Sequence, residues 1–290
     1  MVSPTPRPYE ILRRGKAQFS FFLGDCTDLL AKWPAGSVDV AVTSPPYNLG
    51  IDYNTFRDTM PRPEYLKWTS AWVQALARVL AADGSLFLNV GSKPTDPWLA
   101  MDVAQAARSH LQLQNTIHWI KSIAIEKALA GARAALDEDL AVGHYKPINS
   151  QRFVHDCHEF VFHLTPGGRT PLDRRSVGVR YQDQSNVSRW RTAGSGVRCR
   201  GNTWFIPYDT IQNRDKDRPH PATFPAKLPE MCVRLHGRER VKLVADPFLG
   251  LGSTALACVG LGVDFVGFEL DEAYLKEAIA RTAAAIAARP

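Results

Sequence analysis

The stretch Asp246-Pro247-Phe248-Leu249-Gly250-Leu251-Gly252-Ser253-Thr254-Ala255 (DPFLGLGSTA, 246–255) decides how this 290-residue chain folds. Before it stands the apolar run VKLVA, after it LACVGLG, so the segment reads as strand, glycine-rich turn, helix. Glycines at such a turn let backbone approach a ligand closely. Glu269 follows Gly252 by 17 residues, at the end of the next apolar run, VDFVGFEL (263–270). A carboxylate there can accept two hydrogen bonds from ribose hydroxyls. By itself the pattern stays open. Gly250-x-Gly252-x-x-Ala255 also meets the loose dinucleotide fingerprint, so a nicotinamide dinucleotide, S-adenosylmethionine and a tight turn without ligand all remain.

Position narrows the choice. In an ordinary nucleotide-binding fold this turn follows the first strand, and several strands come after it. Here one strand and one helix follow before Pro290. Two strands do not make a stable open sheet, so the missing strands must come from the first half of the chain. There, FSFFLG (19–24), VDVAVT (38–43), SLFLNV (85–90), QNTIHWI (114–120) and HEFVFHL (158–164) read as strands. Between them 28–32, 64–80 and 98–110 read as helices, with Ala82-Asp83-Gly84 ending the second. Asp271 is expected to cap a last helix reaching about residue 288. The stretch 124–141 is left as helix or mobile insertion. The expected fold is a circularly permuted α/β domain, its parallel sheet covered on both faces and built from residues 19–164 and 219–290, with 165–218 inserted between them.

Strand 38–43 ends in a stiff corner, Ser44-Pro45-Pro46-Tyr47. Ligands sit at the carboxyl ends of parallel strands, so this corner should lie near the glycine turn. A hydroxyl, two rigid residues and an aromatic ring suit a planar base and its amino group.

Composition adds a partner. The formal net charge is +6, and residues 166–218, with ten Arg and one Lys against five Asp, carry all of that excess. Trp190, Trp204, Phe205, Tyr181 and Tyr208 are interleaved with these arginines. Arginine with aromatics suits contact to phosphates and bases, and Arg174, Arg175, Arg189, Arg191, Arg198 and Arg200 are the candidate DNA contacts. The bland alternative is a solvated, disordered loop. The five cysteines are scattered with no C-x-x-C pair, so neither a disulfide frame nor a zinc ribbon is expected. No signal-peptide stretch or membrane-length apolar run is found, and a reducing cytoplasm is the expected setting.

Together these elements resemble the amino-methyltransferases of DNA, and more narrowly their β-group, in which the catalytic motif precedes the cofactor motif with a target-recognition region between. Ser44-Pro45-Pro46-Tyr47 is similar to the family's (D/N/S)-P-P-(Y/F/W) motif, and 246–253 to its cofactor loop. GDC (24–26) resembles the element contacting the cofactor adenine, and HPATFPAKL (220–228) the segment lining its methionine end. The resemblance implies a Rossmann-like S-adenosylmethionine-dependent fold. It also implies cofactor contacts from Asp25, Cys26, Phe224, Asp246, Phe248, Gly250, Gly252, Ser253, Thr254 and Glu269, the last as ribose ligand. The implied partner is double-stranded DNA. A cognate restriction endonuclease that need not bind the chain is compatible with it, as is either a monomer or a homodimer.

The chemistry agrees with the resemblance. The exocyclic amine of a base is a poor nucleophile because its lone pair is delocalised into the ring. Acceptors for its hydrogens, the Ser44 hydroxyl and the Pro45 carbonyl, would draw it toward tetrahedral geometry. The prolines aim that carbonyl in advance, and Tyr47 offers a stacking face for a base flipped from the duplex. In the family a serine at the first position goes more often with cytosine N4, and Asp or Asn with adenine N6, so N4-cytosine is favoured and adenine N6 is the alternative. Methylation at cytosine C5 would need a cysteine nucleophile, and no Pro-Cys pair occurs.

Three other features compete. HDCHEFVFH (155–163) would put His155, Cys157 and His163 on one strand face, but no partner cluster exists and sheet packing is expected instead of metal. Trp68 and Trp72, four apart on a helix, are expected in the core. A small-molecule methyltransferase or dehydrogenase, or a DNA-binding protein without catalysis, would also use this fold.

Overall fold

The computed structural model describes residues 6–130, 136–143, 149–181, 187, 196–207 and 223–288. Its strands are β1 (Glu10–Arg14), β2 (Ala17–Leu23), β3 (Val38–Thr43), β4 (Leu80–Val90), β5 (Gln112–Ile120), β6 (Ser122–Ile125), β7 (Leu140–Gly143), β8 (His158–Thr165), β9 (Val179–Arg180), β10 (Val197–Arg198), β11 (Thr203–Phe205), β12 (Leu243–Asp246) and β13 (Asp264–Glu269). Its helices are α1 (Cys26–Ala31), α2 (Arg62–Val79), α3 (Leu99–Ala107), α4 (Lys127–Ala130), α5 (Lys227–His236), α6 (Ser253–Leu261) and α7 (Glu272–Ala287).

Nine strands form one sheet in the order β1-β2-β13-β12-β3-β4-β8-β5-β11. The late strands β12 and β13 are parallel to their neighbours and lie between the early strands β2 and β3. The sheet is therefore built from both ends of the chain, as the late glycine turn requires. Buried residues spaced three and four apart explain the covering helices: on α2 they are Tyr65, Thr69, Trp72, Val73, Leu76 and Val79. One face of the sheet is packed by α1, α2 and α3, the other by α5, α6 and α7. Asp271 caps α7 by accepting from the Tyr274 amide at 2.9 Å.

The sheet departs from the expected all-parallel pattern. β8 runs antiparallel to both β4 and β5, and β1 antiparallel to β2. The reason lies in residues 121–157. Where described, they form α4 and the antiparallel pair β6–β7, not a helix long enough to carry the chain back across the sheet. The chain thus re-enters from the end at which it left, and its strand must run the other way. Ala82-Asp83-Gly84 does not end α2 either. The helix stops at Val79, and these residues belong to β4, where the pairing with β3 shifts register. β1, α5 and β11 had no periodic signal in the sequence. Among the described residues no helix is long and apolar enough to cross a membrane.

Candidate active site

At the carboxyl end of β12 the chain turns through Gly250 (φ 50°) and Gly252 (φ 80°) into α6. A Cβ at Gly252 would come within 3.1 Å of the Ala278 Cβ, so close packing against α7 as well as backbone conformation demands glycine. The Gly250 amide donates to Glu269 Oε2 at 2.7 Å, while Glu269 Oε1 accepts from the amides of Leu270 and Asp271 at 2.9 and 3.0 Å. These bonds hold the carboxylate at the end of β13. Burial pushes its pKa above the usual carboxylate range.

Beneath the turn lies Asp246. Its Oδ1 accepts from Thr43 Oγ1 at 2.7 Å and from the Phe248 amide at 3.1 Å, and its Oδ2 accepts from Thr254 Oγ1 at 2.7 Å. Complete burial pushes this carboxyl up to about 7. Asp246 ties the end of β3, where the Ser-Pro-Pro-Tyr corner begins, to the glycine turn.

One cleft joins the two. Its walls include Asp25, Cys26, Ser44, Pro45, Pro46, Tyr47, Phe224, Phe248, Gly250, Ser253 and Glu269. Of the residues expected to hold a cofactor, Asp246, Gly252 and Thr254 do not line it. Asp25 both lines the cleft and caps α1, its Oδ1 accepting from the Thr27 amide at 2.7 Å. Cys26 is buried, which raises its thiol pKa above the ordinary value. Phe248 packs on Trp68 and Trp72, with centroids 5.5 and 5.2 Å away. Trp72 is core as expected, whereas Trp68 also faces the cleft. Sequence reasoning missed Tyr53, Phe56 and Tyr274, which complete the apolar wall. Tyr53 and Phe56 lie on a loop that Asp58 holds by accepting from the amides of Asn48, Leu49 and Ile51 at 2.6 to 3.0 Å.

At the catalytic corner the Tyr65 hydroxyl donates to the Pro46 carbonyl at 2.8 Å. Ser44 Oγ lies 2.6 Å from the Tyr47 hydroxyl. Tyr47 donates to Glu159 Oε2 at 3.1 Å, and Asn89 Nδ2 donates to Tyr47 and to Glu159 Oε2, each at 2.7 Å. Lys121 Nζ pairs with Glu159 Oε1 at 3.0 Å. Tyr47 is thus largely buried and tied by its hydroxyl while its side chain borders the cleft. Sequence reasoning missed Asn89, Lys121 and Glu159. A signal existed for two of them: Asn89 is the one polar residue of the run LFLNV, and Glu159 shares the alternation of HDCHEFVFH.

That last stretch holds no metal cluster, and no group of three or more His, Cys, Asp or Glu among the described residues is arranged to hold one. His163 is buried instead, bonded to Ser85 Oγ at 2.9 Å and stacked on Phe87. The candidate DNA contacts are not brought to the cleft as a group. β8 leaves the sheet at the end opposite the cleft, its Thr165 beside Gln112. Arg174 and Arg175 follow there, where the Asp173 amide donates to the Leu235 carbonyl and Arg240 to the Pro171 carbonyl. Arg198 pairs with Val179 in a two-stranded ribbon, and Arg200 Nε donates to the Val177 carbonyl at 3.0 Å. Arg189 and Arg191 lie outside the described residues. Trp204 is core, and Trp190 and Tyr208 also lie outside the described residues.

A family model described as DNA methylase matches residues 38–280. Type II methyltransferase M.BglII of Bacillus subtilis is 27% identical over 276 residues, a match covering 87% of this chain and 65% of the relative. Among solved structures, the PvuII DNA methyltransferase (cytosine-N4-specific) superposes with a TM-score of 0.60 at 17% identity, covering 93% of this chain and 91% of that one. A DNA modification methylase of Thermus thermophilus, complexed with S-adenosyl-L-methionine, gives a TM-score of 0.58 at 24% identity, covering 92% and 93%. At such identities the two structures establish the fold, a Rossmann-like methyltransferase sheet.

Proposed function

The chain belongs to the DNA methylase family whose model spans residues 38–280, and on that premise we propose that it is a site-specific enzyme methylating N4 of cytosine with S-adenosylmethionine. The carrying observation is the Thr43–Asp246 bond, which holds the Ser44-Pro45-Pro46-Tyr47 corner and the glycine turn in one cleft. The cleft's residues fit the cofactor. Glu269 is a fixed carboxylate acceptor suited to ribose hydroxyls, and Phe248, Phe56 and Tyr53 supply apolar walls for a planar base. When bound, S-adenosylmethionine supplies an electrophilic methyl group.

The chain's own residues do the rest by positioning. Ser44 Oγ and the Pro45 carbonyl accept the hydrogens of the target amine, so that its lone pair turns out of conjugation. Tyr47 and the neighbouring aromatics stack a base that has left the duplex, offsetting part of the cost of unstacking. Ser44 favours cytosine N4 over adenine N6. Target recognition is assigned to the 165–218 region and its flank leading to Phe224. Ile206 follows β11 beside the end of β5, and Thr223 borders the cleft, so the intervening segment starts and ends on the cleft side.

Single-molecule sequencing of DNA from a methylation-free bacterial host expressing the chain tests this, beside Ser44→Ala. N4-methylcytosine in one short motif, absent with Ser44→Ala, is the expected result. N6-methyladenine would replace the base assignment, and an unmodified genome would refute the function.

A further inference from the structure

The bonds around Tyr47 have a direction. Asn89 Nδ2 has two hydrogens, and its contacts at 2.7 Å with Tyr47 and with Glu159 Oε2 use both. The reverse orientation of this amide would set Oδ1 against the carboxylate, acceptor to acceptor. The Tyr47 hydroxyl has a single hydrogen, with Ser44 Oγ at 2.6 Å and Glu159 Oε2 at 3.1 Å both within its reach. A carboxylate only accepts, so the Glu159 contact exists only when Tyr47 donates to it. The Ser44–Tyr47 bond must then be made with the hydrogen of Ser44. Ser44, which borders the cleft, is left with lone pairs for an incoming group.

We propose that Glu159 is a positioning residue that, through Tyr47, sets the Ser44 hydroxyl as an acceptor and so makes the site selective for an amino group. This rests on the amino-methyltransferase function above and holds for either base. Lys121 Nζ, 3.0 Å from Oε1, holds the carboxylate so that Oε2 faces Tyr47. Without the anion, the hydrogen of Tyr47 would go to the nearer Ser44. The Ser44 hydroxyl would then point its own hydrogen at the substrate and offer a donor, where a base presents a ring nitrogen or carbonyl. An amine needs the opposite polarity, and a bond to a charged acceptor is strong enough to decide between the two arrangements.

The experiment measures single-turnover transfer of tritiated methyl from S-adenosylmethionine to unmethylated genomic DNA, with calorimetric cofactor affinity and DNA KM alongside. Wild type, Ser44→Ala, Glu159→Gln, Tyr47→Phe and the Glu159→Gln/Tyr47→Phe double variant are compared. Glu159→Gln should slow transfer roughly tenfold or more, with cofactor affinity and KM held. The double variant should be no slower than Tyr47→Phe, because Glu159 acts through that hydroxyl. If Glu159→Gln does not fold, Lys121→Met, which keeps the carboxylate but frees Oε1, should lower the rate in the same selective way. A wild-type rate in Glu159→Gln, losses that multiply in the double variant, or a parallel loss of cofactor affinity would overturn the assignment. If wild type transfers methyl and Ser44→Ala does not, these failures leave the proposed function standing. No transfer by wild type overturns both.

Discussion

Thr43 and Asp246, 203 residues apart in the chain, are joined by a 2.7 Å hydrogen bond inside the sheet. It links the last residue of β3 to the last residue of β12, and so the catalytic corner to the glycine turn. Thr43→Val keeps the volume and removes one donor from a buried carboxylate. The expected cost is about 1–3 kcal/mol, read as a lower melting temperature, together with weaker calorimetric binding of S-adenosylmethionine. Unchanged affinity would mean that the two halves of the cleft do not depend on this bond.

Asp246 also imposes a pH dependence. Its folded pKa, about 7, stands above the ordinary aspartate value of 3.8 because burial disfavours the charge. The folded state therefore binds the proton more tightly, and this contribution to stability is present below pH 4 and lost as pH rises through 7. Relative to Asp246→Asn, which does not titrate, wild type should lose on the order of 4 kcal/mol between pH 4 and above 7. Urea denaturation of both proteins across that range checks it. Glu269 shifts in the same direction but is common to both.

Two histidines act in the opposite sense. Ser85 Oγ lies 2.9 Å from both His163 Nε2 and His236 Nδ1. Burial pushes His163 down to about 3 and His236 down to about 4. Stability from neutral imidazoles is present above pH 6.5 and lost as pH falls through these values. Against His236→Asn, wild type should weaken by about 3 kcal/mol at most as pH drops from 7 to 4, measured by denaturation at fixed ionic strength. A constant difference would place His236 in contact with solvent.

Gly91 tests the catalytic corner without touching its polar groups. A Cβ there would come within 3.1 Å of Tyr47 Cε2 and 3.2 Å of Glu159 Cδ. Gly91→Ala should push these side chains apart and cut single-turnover methyl transfer roughly tenfold or more, with cofactor affinity kept. A full rate would show that the contact between Tyr47 and Glu159 tolerates displacement.

What was legible in the sequence was local. Strand 38–43 and the strand–turn–helix at 243–261 follow from alternation, glycine and helical spacing, each complete within a few residues. The cap at Asp271 was readable for the same reason. Long-range partners were less so. Glu159 was passed over within a stretch that suggested metal, because nothing nearby says that its carboxylate meets Tyr47, 112 residues earlier. The arginines of 166–200 read as one basic surface. The antiparallel run of β8 takes Arg174 and Arg175 to the end of the sheet opposite the cleft.

By itself the sequence determined a permuted α/β sheet with a glycine turn arriving late and a Ser-Pro-Pro-Tyr corner arriving early. Backbone conformation at glycine and proline, and burial at fixed periods, are written in adjacent residues. Only the tertiary structure decided that Asp246 clamps those two elements together, that Glu159 orients Tyr47 beside Ser44, and which pole Arg174 and Arg175 occupy. Those outcomes depend on strand direction and on contacts across hundreds of residues, where hydrogen-bond geometry, not local propensity, selects the partner.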